Sequence, residues 1–201
     1  MRESSRVAPV LSYGDLDRAH LTKHLMALAQ RVGVDKVTMR ALASDAGTSA
    51  SSVYYHVKDK NEMFDLLIEA IVDSIEIPSG GDWEHRLVTL YTNAWNVLVA
   101  VRGSAALLQQ RPHTRAAANM DQATRKLLRE SGLATDDFDG AHAVLYIHLL
   151  GSVELAHRRY PETATAKQTR GMKSVFLFGV QVILEGLRHV SAAKRPDRGA
   201  V

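Results

Sequence analysis

The chain has 201 residues, of which 46% are hydrophobic, so it can bury a core and is not disordered over most of its length. It contains no cysteine, which excludes disulfides, iron–sulfur clusters and thiolate zinc sites. The net charge of +3 is uneven: residues 1–60 hold nine Lys and Arg against six Asp and Glu, whereas residues 61–201 hold sixteen of each. This asymmetry favours an anionic partner for the N-terminal third.

No apolar run approaches the roughly 20 residues that a membrane span requires. The N-terminal sequence MRESSRVAPVLSYG also lacks the apolar block of a signal peptide. We therefore expect a cytoplasmic protein without a membrane partner.

Apolar residues recur with a helical period nearly throughout, which predicts an all-α fold. Residues 1–14 form a polar stretch that we expect to be a flexible arm. Three short helices follow within residues 15–59, where Gly33 ends the first helix and Thr38 and Ser49 are candidate N-caps of the other two. Three short helices with a tight glycine-containing turn are typical of a helix-turn-helix DNA-binding domain.

A fourth helix, capped by Asp59, is predicted to connect this domain to the rest of the chain over residues 60–76. Residues 77–190 are predicted to be a helical ligand-binding and dimerisation domain whose first helix is capped by Asp82. Within it we expect a polar loop at residues 161–168. Residues 191–201 are expected to be a flexible tail.

The last predicted helix, over residues 172–189, is apolar on nearly every side and must therefore be covered on every side. A second subunit could cover the face that the chain's own core does not, which predicts a two-fold homodimer with a four-helix interface. A monomer with a central core helix is the alternative. Gly151, Gly179 and Gly186 would allow close approach of helix axes. The predicted interface residues lie on this helix and the long one before it: Leu145, Leu149, Ser152, Phe176, Val180, Ile183 and Leu187.

The segment TSASSVYYHVKDK, residues 48–60, supports the DNA-binding hypothesis. In a helix-turn-helix the second helix of the pair lies in the major groove, with its first residues at the base edges. Small side chains at residues 50–52 let the backbone approach the groove floor, while Val53 and Val57 face inward. The longer side chains that follow can reach phosphates, which fix the register and make binding salt-dependent.

The predicted DNA contacts combine base and backbone contacts: Thr38, Arg40, Thr48, Ser49, Ala50, Ser51, Ser52, Tyr54, Tyr55, His56, Lys58 and Lys60. For Tyr54 the alternative is a place in the core. For Ser51 and Ser52 the alternative is a role as helix caps.

These residues resemble the DNA-binding domain of the tetracycline-repressor (TetR) family. The similar segments are TMRALA at residues 38–43, AGTS at 46–49 and VYYHVKDKNE at 53–62, and the last helix is more loosely similar. The resemblance implies a homodimeric, all-helical repressor whose C-terminal domain binds a small molecule.

The C-terminal domain loosely resembles that of the tetracycline repressors around Gly81-Asp82-Trp83 and Gln110-Arg111-Pro112. Where those proteins place a histidine that holds drug-bound magnesium, this sequence has Leu107. A magnesium–tetracycline complex is therefore not the expected ligand.

A ligand pocket should be mostly apolar with a few converging polar groups. Arg111, beside a helix break, could pair with an acidic ligand. The candidate pocket residues are Tyr91, Trp95, Val99, Leu107, Arg111, His113, Asn119 and Tyr146, with Leu98 and Gln122 beside them. The histidines show no metal-ligand spacing, since His142 and His148 lie on different faces of one helix, so we expect no metal or other cofactor.

The sequence thus predicts a ligand-responsive repressor that binds a pseudo-palindromic operator as a dimer and is released by a small apolar or amphipathic effector. A transcriptional activator of the same fold is the alternative. An enzyme would need a paired nucleophile and base, and the sequence shows none, so an enzyme is disfavoured. The balanced charge of residues 61–201 disfavours a purely architectural DNA-binding protein.

Overall fold

The computed structural model describes residues 17–111, 114–160 and 165–193, and within these ranges the chain is helical without strands. The predicted N-terminal arm, His113 and the end of the predicted tail lie outside them. No described helix is long and apolar enough to cross a membrane. The helices are α1 (Arg18–Val32), α2 (Met39–Asp45), α3 (Ala50–His56), α4 (Lys60–Asp73), α5 (Trp83–Val99), α6 (Ser104–Gln110), α7 (Arg115–Glu130), α8 (Phe138–Arg159) and α9 (Ala166–Ala193).

Four predicted helix caps are confirmed. The side chains of Thr38, Ser49, Asp59 and Asp82 each accept a hydrogen bond from the backbone N–H three residues further on, at 2.8 to 3.2 Å. These bonds satisfy donors that have no partner within the helix. The starts of α2, α3, α4 and α5 therefore follow from local sequence.

The predicted loop over residues 161–168 is wrong at its C-terminal end, because α9 already begins at Ala166. Thr165 and Gln168 form a reciprocal capping box. The Thr165 hydroxyl accepts from the Gln168 N–H at 3.3 Å, and the Gln168 side-chain oxygen accepts from the Thr165 N–H at 2.8 Å. This pair satisfies two backbone donors and starts the helix six residues before the predicted position.

The helices α5, α8 and α9 meet in a layered aromatic cluster. Trp95 stacks on Phe176 with ring centroids 6.0 Å apart, and Phe176 stacks on His148 at 5.2 Å. His148 fits against Gly179, where an added Cβ would overlap the imidazole ring. Gly179 therefore allows the close packing of α8 on α9 that the sequence predicted for it.

The structure corrects the predicted dimer interface. Leu145, Leu149, Phe176 and Val180 are at most 1% exposed, because they fill the core of the single chain. They cannot also cover a second subunit in this packing. The other three predicted residues, Ser152, Ile183 and Leu187, are half-buried.

The turn between α5 and α6 is attached to the N-terminal helices. The Val34 N–H, in the turn after α1, donates to the Arg102 carbonyl at 2.9 Å. Gly103, with φ of 85°, follows directly and faces Val34, so that an added Cβ would lie 3.2 Å from the Val34 Cβ. A side chain at position 103 would therefore both strain the left-handed backbone and crowd Val34, so glycine is favoured there for two reasons.

We expect Gly103→Ala to destabilise the protein more than Gly47→Ala. Both glycines have positive φ, which costs another residue about 1 to 2 kcal/mol. Only Gly103 also faces a neighbour, since no atom lies within 4 Å of a Cβ built at Gly47. Urea unfolding of the two variants measures the difference, and equal midpoints would show that the Val34 contact contributes nothing.

Candidate DNA interface and ligand pocket

Helix α3, the predicted recognition helix, presents most of its surface outward. Val53 and Val57 are fully buried, as predicted, and anchor the helix to the domain core. Tyr54 is 53% exposed and Tyr55 is 86% exposed, so neither is a core residue. The alternative placement of Tyr54 in the core is therefore excluded in this structure.

The first turn of α3 carries a cluster of hydroxyl groups. The Ser49 hydroxyl lies 2.8 Å from that of Ser51 and 3.0 Å from that of Ser52. Ser49 is the cap, so the alternative that Ser51 and Ser52 serve as caps does not hold. Ala50 and Ser51 are exposed and Ser52 is half-buried, which leaves a small-residue surface at the start of the helix.

The remaining predicted DNA contacts surround α3. Thr38, Arg40, Lys58 and Lys60 are exposed, while Thr48 and His56 are half-buried. Arg40 follows the cap residue Thr38 at the start of α2. The structure thus brings the predicted polar and aromatic residues of α2, α3 and the start of α4 together in one N-terminal domain.

An arginine that sequence reasoning missed holds α3 in place. The Arg18 guanidinium donates to the His56 carbonyl at 3.1 Å and to the Glu62 carboxylate at 3.0 Å. Glu62 also accepts from the Lys58 N–H at 2.8 Å. The hydrogen bond from Lys58 and then that from Arg18 lower the pKa of Glu62. Arg18 has no local sequence signal for this role, because its partners lie 38 and 44 residues away.

A second network holds α2 against α1. The Asp45 carboxylate accepts from His24 at 3.0 Å and pairs with the Arg31 guanidinium. Burial raises the pKa of Asp45, but the hydrogen bonds from Arg31 and His24 outweigh it and the net shift is downward. The helix-turn-helix is therefore held by charged pairs outside its apolar core.

A cavity of about 490 Å³ lies between α4, α5, α6, α7 and α8. This volume falls within the range of small-molecule sites. Its wall is mostly apolar, with contributions from Val72, Leu98, Leu108 and Leu149 among others. Its polar lining residues are Tyr91, Thr114, Asp121, Thr124, His142 and Tyr146.

The cavity includes some of the predicted pocket residues and not others. Tyr91, Tyr146 and the neighbouring Leu98 line it. Trp95 and Val99 line a different cavity, and Leu107 is buried without lining this one. Asn119 and Gln122 are exposed, and His113 lies outside the described residues. A helical period alone could not show which side of α7 faces inward.

One buried hydroxyl in the cavity wall lies beside Tyr91 without a hydrogen bond of normal geometry among the described residues. Thr124 is fully buried, and its hydroxyl makes no hydrogen bond of normal geometry to any described residue. Burial raises the pKa of the adjacent Tyr91 phenol, although the nearby Thr124 hydroxyl opposes the shift. The phenol therefore keeps its proton and can donate to a ligand.

The charged groups beside the cavity form one network, in which Arg125 pairs with both Asp121 and Asp139. Asp121 accepts from Arg125 at 2.9 Å and lies 3.1 Å from the His142 ring, which stacks on Tyr146. Burial lowers the pKa of His142, although Asp121 opposes the shift. Within the described ranges no Lys or Arg lines the cavity, and no group of three or more His, Asp or Glu could hold a metal. The cavity suits a largely apolar ligand with hydrogen-bonding groups.

Arg111 does not face the cavity, so it is not placed to pair with an acidic ligand there. Its guanidinium donates to the Asn61 side chain at 2.6 Å and to the Asn61 carbonyl at 3.2 Å, and it pairs with Asp65. Leu108 and Thr114, on either side of Arg111 in sequence, line the cavity. One side chain therefore connects the cavity wall to the start of α4.

Comparison with known proteins agrees with this architecture. Residues 21–67 match the family model of bacterial regulatory proteins, tetR family. The chain is 27% identical over 168 residues to an HTH-type transcriptional regulator of Saccharopolyspora erythraea, and the match covers 81% of this chain and 69% of that protein.

Two solved structures share the fold. ActR of Streptomyces coelicolor in complex with actinorhodin has a TM-score of 0.70 at 19% identity, over 89% of this chain and 99% of that one. BioQ with its double-stranded DNA operator has a TM-score of 0.70 at 17% identity, over 87% and 99%. The segment of residues 21–67, which contains the helix-turn-helix and the exposed helix α3, is therefore a TetR-family DNA-binding domain, and the chain as a whole is similar to a transcriptional regulator.

Proposed function

We propose that this protein is a ligand-responsive repressor that binds a pseudo-palindromic operator as a homodimer and is released by a small, largely apolar effector. The observation that carries the proposal is the Arg111 link between the wall of the 490 Å³ cavity and α4. The similar proteins support both partners, since BioQ is bound to its operator and ActR to actinorhodin.

We assign the proposed DNA contacts from the exposure and the size of the side chains on and after α3. Residues 50–52 approach the bases, and the longer side chains of Tyr54, Tyr55 and Lys58 contact the phosphate backbone. No arginine, asparagine or glutamine lies in the reading positions of α3. Arg40 and sequence-dependent DNA shape therefore share in specificity.

The dimer interface of the proposal is an apolar stripe on the outer faces of α8 and α9. It consists of Val144, Ile147, Leu155, Val175, Phe178, Val182 and Val190, all of them exposed. Their spacing keeps them on one face of each helix. Gly151 and Gly186 lie in the same stripe with no atom within 4 Å of an added Cβ, so the single chain does not require them to be glycine. A second copy of the stripe would remove this apolar surface from water.

In the proposed mechanism the effector acts through α6 and α4. A ligand in the cavity contacts Leu108 and Thr114 and shifts Arg111 between them, and Arg111 moves Asn61 at the start of α4. Because Arg18 ties α4 to the end of α3, the two recognition helices of the dimer lose the spacing of about 34 Å that one DNA turn requires. The ligand shifts the equilibrium only by its preference for one of the two states.

For DNA binding we expect Tyr55→Ala and Lys58→Ala each to weaken operator affinity about tenfold through loss of a phosphate contact. Lys58→Ala should also reduce the slope of log K against log salt by about 1. Lys126→Ala, which removes an equally exposed lysine on α7, is the control and should change neither. Fluorescence anisotropy with a duplex selected from genomic fragments measures both quantities, and unchanged affinity in the first two variants would contradict the interface.

For the dimer we expect Phe178→Arg to produce a monomer of 22.1 kDa, because the charge would be buried unpaired in the interface. Ile77→Arg is the control, since Ile77 is also exposed and lies outside the stripe. Analytical ultracentrifugation measures the masses. A monomeric parent protein, or a dimeric Phe178→Arg variant, would refute this interface.

For the coupling we expect Arg111→Gln to keep ligand binding but to lose most of the ligand-induced release from DNA. A coupling of about 1 to 3 kcal/mol would correspond to a 5- to 150-fold effect on DNA affinity in the parent protein. The ligand is taken from a thermal-shift screen of apolar and amphipathic compounds that includes actinorhodin. Arg115→Gln, at an exposed position on α7, is the matched control. Full release of Arg111→Gln by the same ligand would show that coupling follows another route.

A further inference from the structure

Cations are concentrated at the corner where α8 ends and α9 begins. Residues 155–184 hold five Lys and Arg against one acidic residue, whereas the rest of residues 61–201 holds eleven against fifteen. The C-terminal domain is thus balanced in total charge but positive at this corner. The five cations, which we call the basic corner, are Arg158, Arg159, Lys167, Arg170 and Lys173.

Four cations of the basic corner have no partner among the described residues. Arg159, Lys167 and Arg170 are exposed and Lys173 is half-buried, and none of them forms a hydrogen bond or an ion pair within the part of the chain that the structure describes. Arg158, in contrast, pairs with Glu154 at 2.8 Å.

The cations on α9 are also neighbours in space. Lys167, Arg170 and Lys173 are spaced three residues apart, so each lies beside the next on the helix surface. Like charges at this spacing repel one another, and the segment's acidic residue, Glu162, lies outside the described residues. The basic corner therefore favours an anionic partner from outside the chain.

The basic corner lies on the side of the C-terminal domain that faces the N-terminal helices. A second cavity, of about 440 Å³, is lined both by Arg31 at the end of α1 and by Tyr160 and Thr169 of α8 and α9. At the opposite end of the domain, Glu84 at the start of α5 pairs with Arg188 near the end of α9. The start of α9 is therefore close to the DNA-binding domain, whereas its end is remote from it.

In the proposed dimer the two basic corners lie at the same end of the interface. Leu155 and Val175 of the apolar stripe are three and two residues away from Arg158 and Lys173. Both subunits must present α3 to one face of the DNA, so the ends of the C-terminal domains that adjoin the DNA-binding domains point the same way. The two corners then lie on either side of the two-fold axis, which passes through the centre of a pseudo-palindromic operator.

We infer that the basic corner is a further DNA-binding surface, which attracts the phosphates at the centre of the operator, between the two half-sites. The half-sites lie in successive major grooves about 34 Å apart, so the minor groove between them faces the protein with a phosphate strand on each side. Duplex DNA carries one negative charge per about 1.7 Å of its axis. The inference rests on the proposed dimer and operator.

The corner acts on DNA through charge and not through base contacts. At 0.1 M salt, charges act over a distance of about 10 Å, so long Lys and Arg side chains need not touch the phosphates to attract them. The corner therefore raises the affinity for any duplex and makes it more sensitive to salt, but it does not contribute to the choice of sequence.

The test compares two double variants that remove the same charges. Lys167→Gln/Arg170→Gln, the corner variant, should weaken binding to the operator and to a random-sequence duplex of the same length about tenfold each, and should reduce the slope of log K against log salt by about 2. Lys126→Gln/Arg129→Gln is the matched control, since it removes an exposed Lys and an exposed Arg with the same spacing from α7, next to Glu130, which pairs with Arg86 at the remote start of α5. The control should change both quantities little. Circular dichroism and ultracentrifugation establish that both variants are folded and dimeric.

Neutral methylphosphonates in the operator then locate the contact. At the central phosphates they should weaken the parent protein about tenfold and the corner variant little. At the outer ends of the duplex they should affect the two proteins equally. Equal losses in the corner and control variants, or equal sensitivity of parent and corner variant to the central methylphosphonates, would overturn the inference and leave the proposed repressor function intact. A parent protein that binds neither duplex would refute the proposed function and the inference with it.

Discussion

The attachment of α6 to the N-terminal helices at both of its ends is the constraint on which the rest of the structure depends. At one end the Arg102 carbonyl accepts from the Val34 N–H, and at the other Arg111 holds Asn61 and Asp65 of α4. Between these points α6 is only seven residues long, and its Leu108 lines the main cavity. In the proposed mechanism, a ligand that moves α6 therefore acts on α4 and the N-terminal helices through these two contacts.

Helix α3 is firmly anchored to its domain but exposes only small residues at its start. Two buried valines anchor α3, and Arg18 and Glu62 tie its end to α1 and α4. The outer face of α3 is not needed for packing, so tyrosines can be exposed there. In the proposed interface, the small residues at its start permit close approach to the groove but offer few base-specific contacts, so we expect specificity to depend on neighbouring residues and on DNA shape.

The two cavities beside α5 differ in chemistry because different helices complete them. The first is bounded by apolar residues of α4 and α8, and Asp121 at its edge pairs with Arg125, which also pairs with Asp139. The second lies at the junction with α1 and has two arginines in its wall.

Local features of the sequence sufficed for the all-helical fold, the helix-turn-helix and four helix caps, because caps and apolar periods act over three or four residues. The capping box of Thr165 and Gln168 was equally local and could have been recognised. Long-range partners could not be recognised: the sequence predicts that Arg111 pairs with an acidic ligand, whereas the fold places it beside Asp65, 46 residues away.

Likewise, α9 is apolar on nearly all sides, so its sequence could not distinguish the face that packs on the chain's own core from the face left for a partner. The tertiary structure decided that Phe176 and Val180 are inside and Phe178 and Val182 outside. The sequence by itself determined that this helix needs cover on every side, whereas only packing against α5 and α8 decided which side the chain covers itself.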